Sequence, residues 1–149
     1  MQRSDRLELE VNGEPLPGWN LSFAGTLLDA EFTERDDPNF GNRPRFSAPW
    51  QVSLFSTYEL QSGPLKGLGF GGGIFAIGDR TVLDDNDATV DGHERVDLTA
   101  FYNGLENAEL SIYVRNVLDA EYIERPLFSS RLSQYGAPRS FVVRGRVKF

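Results

Sequence analysis

The sequence predicts an all-β protein, and specifically a segment of an antiparallel transmembrane β-barrel. Apolar and polar residues alternate with period two in seven separate runs, as they do in strands that have one apolar face. The connections between the runs alternate between short and long, and aromatic residues stand near the ends of the runs. Tight turns at one end of the strands, long loops at the other and interfacial aromatic residues are typical of membrane barrels.

The seven runs can be placed in chain order from their alternation. They lie at about 7–11, 19–27, 50–60, 68–78, 95–102, 110–115 and 140–149. Long polar connections are expected at 29–48, 79–93 and 119–138, and short turns between the other runs. Strand lengths of roughly 9–11 residues are expected, which matches a tilted bilayer crossing. The last run is the clearest, because Arg144, Arg146 and Lys148 alternate with apolar residues up to Phe149.

A second architecture shares this alternation. A small soluble β-sandwich or lipocalin-like ligand-binding protein would bury its apolar faces in a dry core, whereas a membrane barrel turns them to lipid. Charged residues make up 25% of the chain and the mean hydropathy is -0.37, which favours a soluble protein. That argument is weak, because barrel strands offer only alternate residues to lipid. Solubility in plain buffer would separate the two architectures.

The number of runs indicates an incomplete structure. With seven antiparallel strands, the first and the last run in the same direction and cannot close an antiparallel barrel. The polar start of the chain lacks a positively charged segment followed by an apolar one, so Met1 is not expected to be the natural beginning of an exported protein. No run of about 18 apolar residues exists, which excludes a transmembrane helix.

Composition and motifs argue against other classes of protein. The chain has no cysteine, and its net charge of -7 does not suit a nucleic-acid partner. The single His93 has no nucleophile in a recognisable motif, and the acidic run 84–87 lacks the EF-hand pattern, so no metal site is expected. Residues 67–72 satisfy GxGxxG, but a β-like run follows, which favours a glycine-rich strand. No catalytic constellation is present, so no enzyme is expected.

Several stretches carry a more specific likeness. They are Gly63 to Ile74 with Gly78 to Arg80, Arg95 to Tyr102, Asn116 to Tyr122, Tyr135 to Arg139, and upstream Leu16 to Leu21 and Asp29 to Phe32. Together these stretches resemble, in order and over nearly the whole chain, the late barrel of TonB-dependent siderophore receptors. The likeness is nearest to receptors of the ferrichrome and hydroxamate type.

The resemblance implies a 22-stranded barrel with an N-terminal plug, which lies in the outer membrane of a Gram-negative bacterium and imports ferric siderophores with energy from TonB. Residues 1–149 match only about the last seven strands, so they are expected to be a single incomplete domain that has no plug and does not transport alone. The ferric siderophore is the implied ligand, and no bound cofactor is expected. Implied partners are outer-membrane lipid, the plug, the remaining strands, the TonB complex and the barrel-assembly machinery, whose recognition signal Phe149 resembles.

Two sets of side chains are candidates for contact with other molecules. The first combines guanidinium and aromatic groups in the expected loops, which suits an anionic, oxygen-rich ferric chelate. Its members are Arg35, Arg43, Arg45, Tyr122, Arg125, Phe128, Arg131 and Tyr135. The second set falls on the polar face, where it would line the barrel lumen or contact the plug. Its members are Glu8, Glu10, Arg95, Asp97, Arg115, Arg144, Arg146 and Lys148. Ordinary loop surface and plain solvation are the alternatives for the two sets.

Overall fold

Seven long strands build one sheet in the computed structural model, which describes residues 1–127 and 133–149. They are β1 (Gln2–Leu16), β2 (Trp19–Phe32), β3 (Trp50–Glu59), β4 (Leu68–Ile77), β7 (His93–Tyr102), β8 (Ala108–Arg115) and β11 (Ser140–Val147). Four short strands form two small hairpins in the loops: β5 (Arg80–Thr81) with β6 (Thr89–Val90), and β9 (Ile123–Arg125) with β10 (Gln134–Tyr135). No helix in this part of the chain is long and apolar enough to cross a membrane.

The long strands follow one another across the sheet in chain order, and each pairs antiparallel with the next. Residues 17–18, 60–67 and 103–107 make the short connections, whereas 33–49, 78–92 and 116–139 make the long ones. The predicted all-β class, the seven strands and the alternation of connection lengths are therefore confirmed. The sheet is open, because β1 and β11 each have a long neighbour on one side only.

The register brings the apolar residues together on one face of the sheet. Phe23 of β2 lies across from Leu54 of β3, which lies across from Ile74 of β4. The Leu54 and Ile74 side chains are 40% and 48% exposed, although they lie in the middle of the sheet. Apart from Pro126 and several glycines, the buried apolar residues in the described part of the chain are Phe32, Val82 and Tyr122. The sandwich alternative is therefore wrong: within residues 1–127 and 133–149 no second sheet of similar size lies against this one, and no dry core lies between two layers.

The apolar face has the height of a membrane barrel. Trp19 pairs with Tyr58 near the short turns, and Leu27 pairs with Trp50 near the long loops. The nine residues from Trp19 to Leu27 make eight steps and span about 27 Å along the strand at ~3.4 Å per residue. With a strand tilt of about 40°, this length corresponds to a band roughly 20 Å tall, close to the band of known barrels. Aromatic side chains stand at both ends of the band, as interfacial residues do.

The strands β1 and β2 run further than their alternation predicts. The first run was expected to end near Asn12 and the second near Leu27, but pairing extends to Leu16 at one end and Phe32 at the other. Beyond the pair of Leu7 and Leu27, the outward face becomes charged. There the Arg3 guanidinium lies 3.0 Å from Asp5, 3.7 Å from Asp29 and 3.4 Å from Glu31. Backbone pairing needs no apolar face, so this hairpin continues past the apolar band.

The glycine-rich run 67–72 leads into and forms the start of β4, so the prediction of a strand is confirmed. Gly67 has a φ of 87°, which turns the chain into the strand. A Cβ atom at Gly69 would overlap the Phe101 ring, and one at Gly71 would overlap the backbone of β3. The glycines therefore allow side chains and backbone from both neighbouring strands to approach β4 closely.

Replacement by arginine should have different effects on the stability of the protein at the two faces of β3. Leu54→Arg places a cation in the middle of the apolar band, and we expect it to destabilise the folded barrel in lipid vesicles by about 2–4 kcal/mol. Ser53→Arg is the matched control, because the neighbouring residue points to the polar face and should cost little. Urea unfolding of the protein in lipid vesicles measures both. Equal losses for the two variants would contradict the assignment of faces.

Candidate functional site

A buried carboxylate joins β7, β8 and the start of the last long loop. Asp97 is fully buried, and its Oδ1 atom accepts hydrogen bonds from the Asn116 backbone N–H at 2.9 Å and from Arg95 Nε at 3.0 Å. Its Oδ2 atom accepts hydrogen bonds from the Tyr113 hydroxyl at 2.5 Å and from Arg95 Nη2 at 3.1 Å. The Arg95 guanidinium also lies over the Phe75 ring, 4.5 Å from its centre. Both oxygens are thus satisfied, which is what a buried charge requires.

The base of the last long loop is built on Asn116, which is also fully buried. Its φ of 53° reverses the chain after β8. Its side chain donates hydrogen bonds to the carbonyls of Ala120, at 2.9 Å, and Ala137, at 3.2 Å, and accepts one from the Ala120 N–H. Asp119 then accepts a hydrogen bond from the Arg139 N–H at 2.8 Å. The two ends of loop 116–139 are therefore held together next to Asp97.

Arg80 fixes β9 over the hairpin of β5 and β6. The side chain is 6% exposed, and its Nη1 and Nη2 atoms donate to the carbonyls of Glu124 and Ile123 at 2.7 and 2.5 Å. Burial lowers the pKa of Arg80 from its usual value, and the carboxylate of Glu124 acts in the opposite direction. The contact joins two loops that are 44 residues apart in sequence.

A second contact lies beside Arg80. The buried Tyr122 ring stacks on His93 with 4.0 Å between ring centres and 14° between planes. Both contacts border a pocket of about 380 Å³ on the polar side of the sheet. It is lined in part by Gln51, Phe75, Arg80, His93, Arg95 and Glu124. The Nε atom of Arg80 and the Nδ1 atom of His93 are buried and have no hydrogen-bond partner among residues 1–127 and 133–149. Such atoms usually meet water, a ligand or another part of the protein.

The first long loop is fastened to the second. Asn86, with a φ of 61°, accepts a hydrogen bond from the Arg43 N–H at 2.9 Å and donates one to the Arg43 carbonyl at 2.7 Å. Asp84 accepts a hydrogen bond from the Arg45 N–H at 2.9 Å, and its carboxylate lies 3.8 Å from the Arg45 guanidinium. The Phe46 N–H donates to the Thr81 carbonyl at 2.7 Å. The first long loop therefore contacts the second, and the second contacts the third through Arg80.

The structure separates the loop residues that the sequence grouped as ligand contacts. Arg43 and Arg45 lie at the contact between the first two loops, and Tyr122 is buried against His93. Arg125 and Tyr135 are exposed on the hairpin of β9 and β10, and Arg35 is exposed in the first loop. Phe128 and Arg131 lie outside the described residues. Contact of any of these side chains with a ligand stays a prediction.

The charged residues expected in the lumen lie on the polar face of the sheet. Glu8 and Glu10 lie across from Thr26 and Ala24 of β2, and Arg144 lies across from Ser111 of β8. Arg146 and Lys148 approach the Glu109 carboxylate at 3.6 and 2.7 Å. Arg115 lies 3.7 Å from Glu124, whereas Arg95 and Asp97 bind each other. That this face lines a lumen or meets a plug stays a prediction.

Sequence reasoning missed the residues that shape the loops. Arg80, Asn86, Asn116 and Glu124 had no assigned role, although Arg80 and Asn116 belong to stretches that carried the family likeness. The asparagines had one usable signal, since this residue type tolerates a positive φ better than most. For Arg80 and Glu124 no local signal exists, because their contact depends on how two loops approach each other.

An open antiparallel sheet with an exposed apolar face, a polar opposite face and loops gathered at one end is part of the wall of a membrane β-barrel. The family described as "TonB dependent receptor-like, beta-barrel" matches residues 1–117. The chain belongs to this family, whose members in Gram-negative bacteria are outer-membrane β-barrels.

Individual relatives agree with this assignment. The chain is 30% identical over 124 residues to the metal-pseudopaline receptor CntO of Pseudomonas aeruginosa, and covers 18% of it. It is 27% identical to the ferrichrome outer membrane transporter/phage receptor of Escherichia coli K12, with 99% of the chain and 20% of the relative covered. The crystal structure of the siderophore receptor PiuA from Acinetobacter baumannii superposes with a TM-score of 0.85 at 26% identity, over 99% of the chain and 22% of PiuA. The chain thus spans about a fifth of the length of these receptors.

Replacing Asp97 by asparagine, a change of one functional group, should greatly lower the free energy of unfolding. Asp97→Asn removes the negative charge that faces Arg95 and turns one acceptor into a donor. We expect a loss of about 3–5 kcal/mol, as for other buried ion pairs that lose one partner. Urea unfolding of the protein in vesicles measures it, and Asp91→Asn in an exposed loop position is the control. If both variants unfold at the wild-type midpoint, the cluster does not hold β7, β8 and the loop together.

Removing the Arg80 guanidinium should loosen β9 without affecting the long strands. Arg80→Met keeps the length of the side chain but removes two charge-assisted hydrogen bonds to β9, each worth roughly 1.5–3 kcal/mol. We expect amide hydrogen exchange of residues 123–125 to become at least about tenfold faster, while exchange in β7 and β8 stays unchanged. Arg35→Met, an exposed arginine in the first loop, is the control. Unchanged exchange at 123–125 would show that other contacts fix β9.

Proposed function

We propose that the chain is the C-terminal part of the barrel of an outer-membrane receptor that imports ferric siderophores with energy from TonB. The supporting observation is the likeness, over 99% of the chain, to receptors whose names specify a ferrichrome transporter and a siderophore receptor. The described strands supply one stretch of wall and three loops. The plug, the remaining strands and the TonB complex would supply the transport step, so the fragment by itself does not transport.

The orientation follows from the two ends of the sheet. In outer-membrane barrels the tight turns face the periplasm and the long loops face outside. The joined loops 33–49, 78–92 and 116–139 then lie at the extracellular mouth, and the apolar face meets outer-membrane lipid. The polar face, with Arg95 and Asp97 bound to each other, faces the lumen and the plug. We further propose that Phe149 is recognised by the barrel-assembly machinery.

The siderophore class is a finer proposal. We favour a hydroxamate of the ferrichrome type, since the ferrichrome transporter and the ferrioxamine B receptor are both among the relatives. The CntO relative receives a different metallophore, metal-pseudopaline, which makes that class the second candidate. On this chain, the exposed Arg125 and Tyr135 of the last loop are the best-placed ligand contacts, because their side chains are exposed at the mouth. A guanidinium and a phenol suit an anionic chelate.

The experiment is uptake of radioactive iron by iron-limited cells of the source organism. Cells that lack the gene of the receptor should lose uptake of one metallophore, supplied in turn as ferrichrome, ferrioxamine B and metal-pseudopaline. The wild-type gene should restore that uptake, and deletion of tonB should abolish it again. Undiminished uptake of every metallophore tested by the receptor-deleted cells would contradict the proposed function.

The ligand contacts are tested in the same cells. Because one charged hydrogen bond and one ring contact are lost, Arg125→Ala combined with Tyr135→Ala should raise the half-saturating metallophore concentration about tenfold or more. Lys66→Ala is the control, since this exposed cation lies in a short turn at the opposite end. Equal uptake curves for the double variant and the control would remove Arg125 and Tyr135 from the ligand site.

A further inference from the structure

We propose that the membrane face of this chain holds one fatty-acyl chain of an outer-leaflet lipid in a groove centred on Gly25. The proposal rests on the membrane location given under the proposed function. The groove has a volume of about 360 Å³ and lies between β1, β2 and β3, at the end of the apolar band nearest the long loops. No residue of this groove takes part in the proposed ligand site.

The groove exists because one row of side chains is interrupted. In this row, Leu9 of β1 pairs with Gly25 of β2, and Gly25 pairs with Val52 of β3. Since neighbouring strands are about 4.8 Å apart, the missing side chain leaves a slot between Leu9 and Val52 whose two walls stand roughly 10 Å apart. Leu27 and Trp50 close the slot toward the loops, and the Phe23 ring lies along its lower end. All the walls are apolar.

Other outward-facing glycines do not leave such a slot. A Cβ atom at Gly72 would meet the Asp97 backbone oxygen at 2.8 Å and the Leu98 side chain at 2.9 Å, so that position is already filled. Gly13 and Gly145 are open, but each lies on a terminal strand of the described sheet, so a described neighbouring strand stands on one side only. At Gly25 a Cβ atom would meet only the Phe23 ring, at 3.2 Å. Among the described residues, Gly25 is thus the outward-facing glycine that has side-chain walls on both sides and free space between them.

The surroundings of the groove favour an acyl chain over a protein partner. Outward-facing Asp5, Asp29 and Arg3 begin just beyond the row of Leu7 and Leu27, which marks the upper limit of the apolar band. The groove therefore lies at the depth of the acyl chains directly below the head groups. The slot is one strand wide, which suits a single hydrocarbon chain. A second copy of the receptor would need a broader complementary surface, since specific interfaces bury about 1,200 Å² or more.

The test uses Trp50, which borders the groove and is 41% exposed. The intact receptor in detergent micelles is titrated with phosphatidylcholine that carries a brominated acyl chain, which quenches nearby tryptophan. The Trp50 signal is obtained by subtracting the emission of Trp50→Phe. We expect saturable quenching at low lipid content in the wild type. Gly25→Leu should abolish the saturable part, and Gly145→Leu, an outward-facing control, should retain it.

The outcomes are distinct. If Gly25→Leu does not fold, judged by circular dichroism, Val52→Phe narrows the slot from the other side and must abolish saturable quenching instead. Quenching that never saturates in the wild type, or saturates equally in the groove variants, overturns the acyl-chain site but leaves the receptor in the membrane. If the fluorescence of Trp50 is not quenched even in vesicles of pure brominated lipid, the membrane location itself is overturned. If the wild-type receptor dimerises in micelles and the Gly25 variant does not, the groove binds a second copy of the receptor, and the lipid site is overturned.

Discussion

Every long strand of this chain must find backbone partners on both sides, and this requirement governs the structure. In a sheet with an apolar outer face, an N–H or C=O group without a partner would meet lipid, where it costs several kcal/mol. The described strands satisfy the requirement between β1 and β11 by pairing each with the next along the chain. Under the proposed function, the free edges of β1 and β11 are where the rest of the receptor barrel would continue the ladder. The apolar face and the turn pattern follow from that arrangement.

The chemistry of the polar face is organised differently, around a few buried groups near the long loops. Asp97 holds Arg95, Tyr113 and the start of the last loop, and Asn116 then closes that loop on itself. Arg80 and the stacked rings of His93 and Tyr122 bring the loop over the pocket. Several side chains that could have bound an anion therefore bind the protein itself. This is why the exposed hairpin of β9 and β10 is the better place to look for ligand contacts.

The apolar band of the outward face ends at the same height along the strands at which the long loops begin. Charged residues of β1 and β2 continue the hairpin beyond the apolar band, and Trp50 marks the boundary on β3. The same boundary contains the slot at Gly25 on its outer side, while the pocket beside Arg80 lies on the opposite side of the sheet. One short stretch of the sheet thus has an apolar surface on one side and a polar surface on the other.

The strands, their two faces and the end at which the loops gather follow from the amino-acid sequence alone. Period-two alternation is a local property, so Leu7, Leu9 and Val11 could be assigned to one face without knowing their neighbours. It did not determine how far β1 and β2 extend, because pairing outside the membrane requires no apolar face. Which loop side chains meet, by contrast, depends on the folded arrangement of the strands. Arg80 reaches a carbonyl 44 residues away, and Asn86 one 43 residues away. Such contacts depend on the relative positions of strands that the barrel sets, and no local pattern encodes them.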